Sequence, residues 1–154
     1  MSAGDVSGAD HAVFDVDAFL ARPLTARLAT DGPTVRPIWY LWENGAFWWI
    51  TGDWSRLPAR LEADPHVALV VDVHDPATGE CRWVIAHGEA RLRPYDEARA
   101  RRKLRRYLGP REDEWGERWT GSPRQGQRFA HLIPHRLLLK DYSYPPPPGA
   151  PGQS

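Results

Sequence analysis

The sequence predicts a mainly β domain of the α+β class: a small β-barrel with a few peripheral helices. Three observations point there. Alternating apolar and polar runs recur from Thr25 to Arg93, the period of half-buried strands. Asn44-Gly45 sits between two β-prone runs, and both residues tolerate the positive φ of a type I′ hairpin turn. Only one long stretch, Asp96 to Leu108, carries a helical apolar stripe.

In chain order, residues 1–12 are small and polar and are expected to form a disordered leader. Asp15 to Ala21 is a short helix, with Asp15 or Asp17 available as cap and Pro23 beyond its end. Thr25–Thr30 is a strand, Asp31-Gly32-Pro33 a turn, Thr34–Glu43 a second strand, and Ala46–Thr51 the third. Ser55 to Ala63 forms a second short helix, with Ser55 as cap and Pro58 tolerated in its first turn. His66–Val73 is almost continuously apolar, which predicts a strand buried on both faces. Arg82–Arg93 alternates, with Gly88 at an expected bulge. The long helix is capped by Asp96 and stopped by Gly109-Pro110, with Ala100, Leu104, Tyr107 and Leu108 on its apolar stripe. A polar loop carrying Trp115 and Trp119 leads to two final strands, Arg128–Ile133 and Arg136–Asp141, separated by Pro134. Residues 145–154 form a Pro-rich tail of extended polyproline character. The domain is therefore expected over residues 13–144.

Composition narrows the function. The 154 residues suit one domain, and 20 basic against 20 acidic side chains leave no net charge to recruit nucleic acid or an anionic membrane. The helical run Arg99–Arg106 reads as a solvated face with carboxylates nearby at Asp96, Glu97 and Glu112–Glu114. A single cysteine, Cys81, excludes an internal disulfide, and no zinc-type spacing exists. No apolar run approaches the ~20 residues of a membrane span, and no signal peptide is readable, so a cytoplasmic protein is expected. His131 and His135 are four apart, but Pro134 between them opposes the helix a metal pair would need. Five of the 8 tryptophans (Trp39, Trp42, Trp48, Trp49 and Trp54) fall within one short segment. So much indole serves either the core or a ligand and partner surface.

Particular segments carry a resemblance. They are Leu28-Ala29-Thr30-Asp31-Gly32-Pro33-Thr34-Val35-Arg36-Pro37-Ile38-Trp39-Tyr40, Phe47-Trp48-Trp49-Ile50-Thr51, Ser55-Arg56, Arg60 to Val67, and Gly88-Glu89-Ala90. In this order and spacing, the stretch from about residue 19 to 108 resembles the pyridoxamine 5′-phosphate oxidase-like family of flavin-binding split barrels. The resemblance implies a homodimer with flavin mononucleotide, or a deazaflavin, at each end of the interface. It places Arg36, Pro37, Ile38 and Trp39 beside the ring and ribityl chain, and Trp49, Ile50 and Thr51 on the next strand. Ser55 and Arg56 receive the phosphate, and Trp83 reaches the cofactor of the partner. The chemistry fits these residue types: a phosphate takes a guanidinium, a hydroxyl and free amides, and a flavin ring takes flat apolar walls.

Two positions depart from the family pattern. Leu57 stands where a lysine is common, and Arg60 where an asparagine is common. Either Arg60, one turn from Arg56, restores the charge, or the cofactor is bound weakly or is a different one. The implied activity is hydride transfer to or from a small substrate. The competing readings are a flavin or haem carrier, with His66, His74, His87 and His131 as axial candidates, and a stress-type protein with the fold alone. Oxidation of pyridoxamine 5′-phosphate itself is not expected, because Lys140 to Tyr144 does not match the family's substrate-binding segment. No catalytic acid–base pair and no metal site is identified.

Overall fold

The computed structural model describes residues 13–149, so the expected leader and the last part of the tail, residues 150–154, lie outside it. Its elements are α1 (Val16–Leu20), β1 (Thr25–Thr30), β2 (Thr34–Trp39), β3 (Leu41–Glu43), β4 (Ala46–Gly52), α2 (Leu57–Ala63), β5 (His66–Asp75), β6 (Glu80–Pro94), α3 (Glu97–Leu108), α4 (Glu117–Thr120) and β7 (Gln127–Asp141). A 3₁₀ turn at Glu112–Glu114 precedes α4. The strands form one antiparallel sheet in the order β2-β1-β5-β6-β7-β4-β3.

The two edge strands of that sheet, β2 and β3, are consecutive in the chain. Thr34–Glu43, expected as one strand, is broken at Tyr40: its first part pairs with β1 and its last with β4 at the far edge. The Tyr40 side chain is buried in the core, so its backbone turns out of both ladders. The Tyr107 hydroxyl of α3 compensates. It accepts from the Tyr40 N–H at 3.0 Å and lies 2.8 Å and 3.0 Å from the carbonyls of Leu24 and Tyr40, either of which can take its proton. One phenol thus holds the corner that curls the sheet into a half-barrel.

The hairpin turn forms as predicted, with φ of 53° at Asn44 and 71° at Gly45. The caps at Asp15 and Asp96 also form, accepting from the N–H groups of Ala18 and Arg99. Gly88 does mark a bulge. His87 pairs with Arg136 and Gly88 with Pro134, which leaves His135 as the extra residue. Pro134 therefore does not separate two strands. β7 runs through it unbroken, because a bulge is the place where a central strand tolerates a missing N–H. A Cβ on Gly88 would meet Leu132 Cδ1 at 2.8 Å and the Ile133 carbonyl at 3.0 Å, so glycine is required there.

The core lies on the concave side of the sheet and is closed by α1 and α2, with Phe19, Leu20, Leu28, Phe47, Trp49, Leu57, Leu61, Leu69, Val84 and Leu132 within it. β5 corrects a further expectation. Val67, Leu69 and Val71 are buried in the core and Val73 packs at its edge, whereas Ala68 and Val70 are half-buried on the opposite face. That outer face carries a broad apolar depression with Ala29, Val35, Trp83 and Ile85, and Val35 is 70% exposed.

α3 lies against the outer side of β4 and β7. Its arginines are matched by carboxylates: Arg99 and Arg102 to Glu43 at 2.8 Å and 3.0 Å, Arg101 to Glu97, and Arg105 to Glu112. Arg106 instead donates to the carbonyls of Leu20, Ala21 and Arg22, which docks the end of α1. Among the described residues no helix is long and apolar enough to cross a membrane.

Candidate cofactor site

β2 ends the run of strands beside α2, and its alternation aims Arg36 across the sheet edge toward the β4–α2 connection. There the Arg36 guanidinium donates to Ser55 Oγ at 3.2 Å. Ser55 is held by its own N–H, which donates to the Gly52 carbonyl at 3.0 Å, and by the Leu57 N–H, which donates to Ser55 Oγ at 3.1 Å. The hydroxyl thus accepts twice and keeps its proton free for an anionic oxygen. Arg56 follows at the N-cap of α2, exposed and without an ion pair among the described residues. Helix α2 begins at Leu57 rather than at Ser55, so Ser55 caps it from one position further out.

The other phosphate-side residues are placed differently. Thr51 is buried at the end of β4. Leu57, in the position where the family commonly has a lysine, is 2% exposed and packs in the core. Its side chain points inward, where an ammonium would have no partner. Arg60 does not turn toward Arg36. It folds over the β1–β2 turn, donating to the Asp31 carbonyl at 3.2 Å, with Gly32 directly beneath it.

On the ring side, Pro37 is exposed and Ile38 packs on the edge of the core. Trp39 lies parallel to Tyr107, centroids 4.5 Å apart and planes within 2°, and also stacks on Trp119 at 5.2 Å. Trp49 is 1% exposed inside the core, and its indole N–H has no partner. Ile50 points the other way, into a cavity of about 300 Å³ between β4, α3 and residues 118–124 of α4 and the loop after it. Trp83 stands apart on the outer apolar face, half-exposed against Tyr142. Within one chain the structure therefore brings Arg36 and Ser55 into contact. It brings Trp39 and Ile50 to the α3 side, and leaves Trp83 on another surface.

Of this region's other aromatic and basic residues, Trp54 was read from sequence only as one of the clustered tryptophans and Trp119 only as a loop residue, and Lys103 was not singled out. Lys103 had a readable signal, a cation three residues after Ala100 and four before Tyr107, inside the apolar stripe. Burial pushes its ammonium down to about 8. The histidines named as axial candidates are dispersed. His66 is bonded to Asp64, His74 to the Tyr144 hydroxyl, His87 is half-buried with an unpartnered Nδ1, and His131 lies 4.1 Å from the Trp48 ring. Burial, with Arg93 and Arg99 nearby, holds His131 below the usual imidazole range. Among the described residues no group of His, Cys, Asp and Glu is arranged to hold a metal.

Curled antiparallel sheet and peripheral helices define a split-barrel protein. The family model described as pyridoxamine 5′-phosphate oxidase matches residues 15–132, and the chain belongs to that family. Among solved structures, it is similar to the conserved hypothetical protein Rv2991 from Mycobacterium tuberculosis. The TM-score is 0.68 at 23% identity, covering 92% of this chain and 88% of that one. It is also similar to an F420 reductase, with TM-score 0.59 and 22% identity over 79% of this chain and 94% of the other. The flavocytochrome Anf3 from Azotobacter vinelandii matches with TM-score 0.61 and 25% identity over 85% of this chain and 67% of that one. No curated protein matches the chain.

Proposed function

We propose that the protein is an oxidoreductase that binds a phosphate-bearing flavin-type cofactor, flavin mononucleotide or a deazaflavin, and serves a small substrate. One observation carries this reading: Arg36, on the strand that the family resemblance places beside the ring and ribityl chain, donates to Ser55 of the Ser55-Arg56 pair that it places at the phosphate. A fixed guanidinium, a hydroxyl with a free proton and a second guanidinium, without an ion pair among the described residues, form a donor set with the chemistry to hold a phosphate. Leu57 and Arg60 stand outside this donor set, so the cradle rests on Arg36 rather than on a restored lysine. Ile38, Trp39 and Ile50 supply the apolar edge for the ring. When bound, the cofactor supplies the hydride chemistry, and the residues hold, orient and shield it.

The homodimer belongs to the same proposal. The depression formed by Ala29, Val35, Ala68, Val70 and Ile85, with the Arg27–Asp72 ion pair among its lining, has an apolar centre and a charged pair beside it, the composition of a subunit interface. Covering it with a second copy would bury β5 on both faces, as its sequence reads, and bring Trp83 to the partner. The likeness to a flavocytochrome favours a second reading, a flavin or haem carrier.

An absorbance spectrum of the purified protein, followed by titration of the cofactor-free form with flavin mononucleotide, a deazaflavin and haem, tests the assignment. Saturable binding of either flavin-type compound near micromolar, about −8 kcal/mol, is expected. A Soret band without flavin binding would replace the oxidoreductase by the haem carrier, and no binding of any of the three would leave the fold alone.

A further inference from the structure

We propose that the cavity between α3, α4 and the loop after α4 binds a small planar organic anion, a conjugated carboxylate, against Lys103. Charge is the first observation. Every arginine of α3 has a carboxylate or a set of carbonyls, but three cations around this cavity have neither. Lys103, Arg118 and Arg124 form no ion pair among the described residues, and no Asp or Glu lines the space. Lys103 is 6% exposed. Its ammonium lies 5.9 Å over the Trp39 ring, but among the described residues no hydrogen-bonding or charged neighbour offsets its burial, and burial lowers its affinity for a proton. An uncompensated buried ammonium costs several kcal/mol in general, and an anion entering the cavity would remove that cost.

Shape is the second observation. Trp54 and Trp119 wall the cavity, and Trp119 continues the parallel stack of Tyr107 and Trp39. The Arg118 guanidinium lies 4.8 Å over the Trp119 ring and that of Arg124 5.2 Å over Trp54. The indoles thereby hold the cations in place without consuming their hydrogen-bond donors. About 300 Å³ is at the small end of ligand pockets, room for a one-ring acid rather than for a flavin with its ribityl phosphate. Flat walls select a conjugated body, and a monoanion beside Lys103 leaves a neutral pair. The use of this cavity as the substrate pocket rests on the cofactor reading above, since Ile50 borders both. Binding of the anion does not rest on it.

Calorimetric titration with trans-cinnamate and its uncharged isostere trans-cinnamamide at neutral pH tests the site, with and without saturating flavin mononucleotide. Cinnamate is expected to bind about tenfold or more tightly than the amide. Lys103→Met should abolish that preference while leaving flavin mononucleotide affinity unchanged, and Arg124→Gln should reduce it in part. The proposal is overturned by absent cinnamate binding, by equal affinity for the two compounds, or by a preference that survives Lys103→Met. Mutual exclusion of cinnamate and flavin mononucleotide would overturn it too, by identifying the cavity as the ring's own place. Lys103-dependent cinnamate binding in a protein that takes no flavin would uphold the anion site and reject the cofactor reading.

Discussion

At the scale of single residues, three side chains carry most of what is specific to this chain. Arg36 and Ser55 are in direct contact, so their contributions to phosphate binding are coupled. Arg36→Ala should weaken flavin mononucleotide binding by about 1.5–3 kcal/mol, and the Arg36→Ala/Ser55→Ala double mutant should lose less than the sum of the two. Arg60→Ala, turned toward Asp31, should change affinity little; fluorescence titration of the variants checks all of this. Lys103 acts on stability. Its folded pKa of about 8 lies below the unfolded value of 10.5, so the folded state holds fewer protons between those limits. Stability from this group therefore rises with pH through that window and is lowest below it. Lys103→Met should raise unfolding free energy near neutral pH by up to about 3 kcal/mol, and the gain should shrink as pH approaches 10. Urea unfolding of both proteins at two pH values reads this directly, and a gain independent of pH would contradict it. The Lys103 environment was only half legible: its place in the apolar stripe is visible in sequence, but the Trp54 and Trp119 walls come from segments far apart in the chain.

At the scale of elements, local signals were read well and long-range ones were not. The Asn44-Gly45 turn and the Asp96 cap each depend on a few neighbouring residues, and both formed as expected. The break at Tyr40 and the continuity of β7 through Pro134 depend on partners about 50 residues away or more, Tyr107 and Gly88 respectively, which no local pattern encodes. Both can be tested. Tyr107→Phe removes the hydroxyl that satisfies the Tyr40 corner and should cost about 1–3 kcal/mol in urea unfolding. Gly88→Ala forces a Cβ against Leu132 and the Ile133 carbonyl and should cost about 1–3 kcal/mol. A neutral result for either would mean that the corner or the bulge relaxes without it.

At the scale of the whole molecule, the sheet has an apolar core face that the chain covers and, on its outer face, an apolar depression that it leaves open. The sequence of β5 already reads as buried on both sides, and the outer depression around Val70 and Ile85 is the place where that reading and the single chain disagree. Sedimentation should give a species of twice the 17.5 kDa chain mass, and Val70→Glu should convert it to a monomer with weaker cofactor binding. A monomer at every concentration would remove the partner's Trp83 from the site.

The central claim is that a phosphate group anchors the cofactor at Arg36 and Ser55. Its most direct test compares flavin mononucleotide with riboflavin, which keeps the ring and lacks the phosphate, by fluorescence titration of wild type and Arg36→Ala. Flavin mononucleotide should bind wild type about tenfold to a hundredfold more tightly than riboflavin, and Arg36→Ala should erase most of that difference. Equal affinity for the two compounds in wild type would contradict the phosphate anchor.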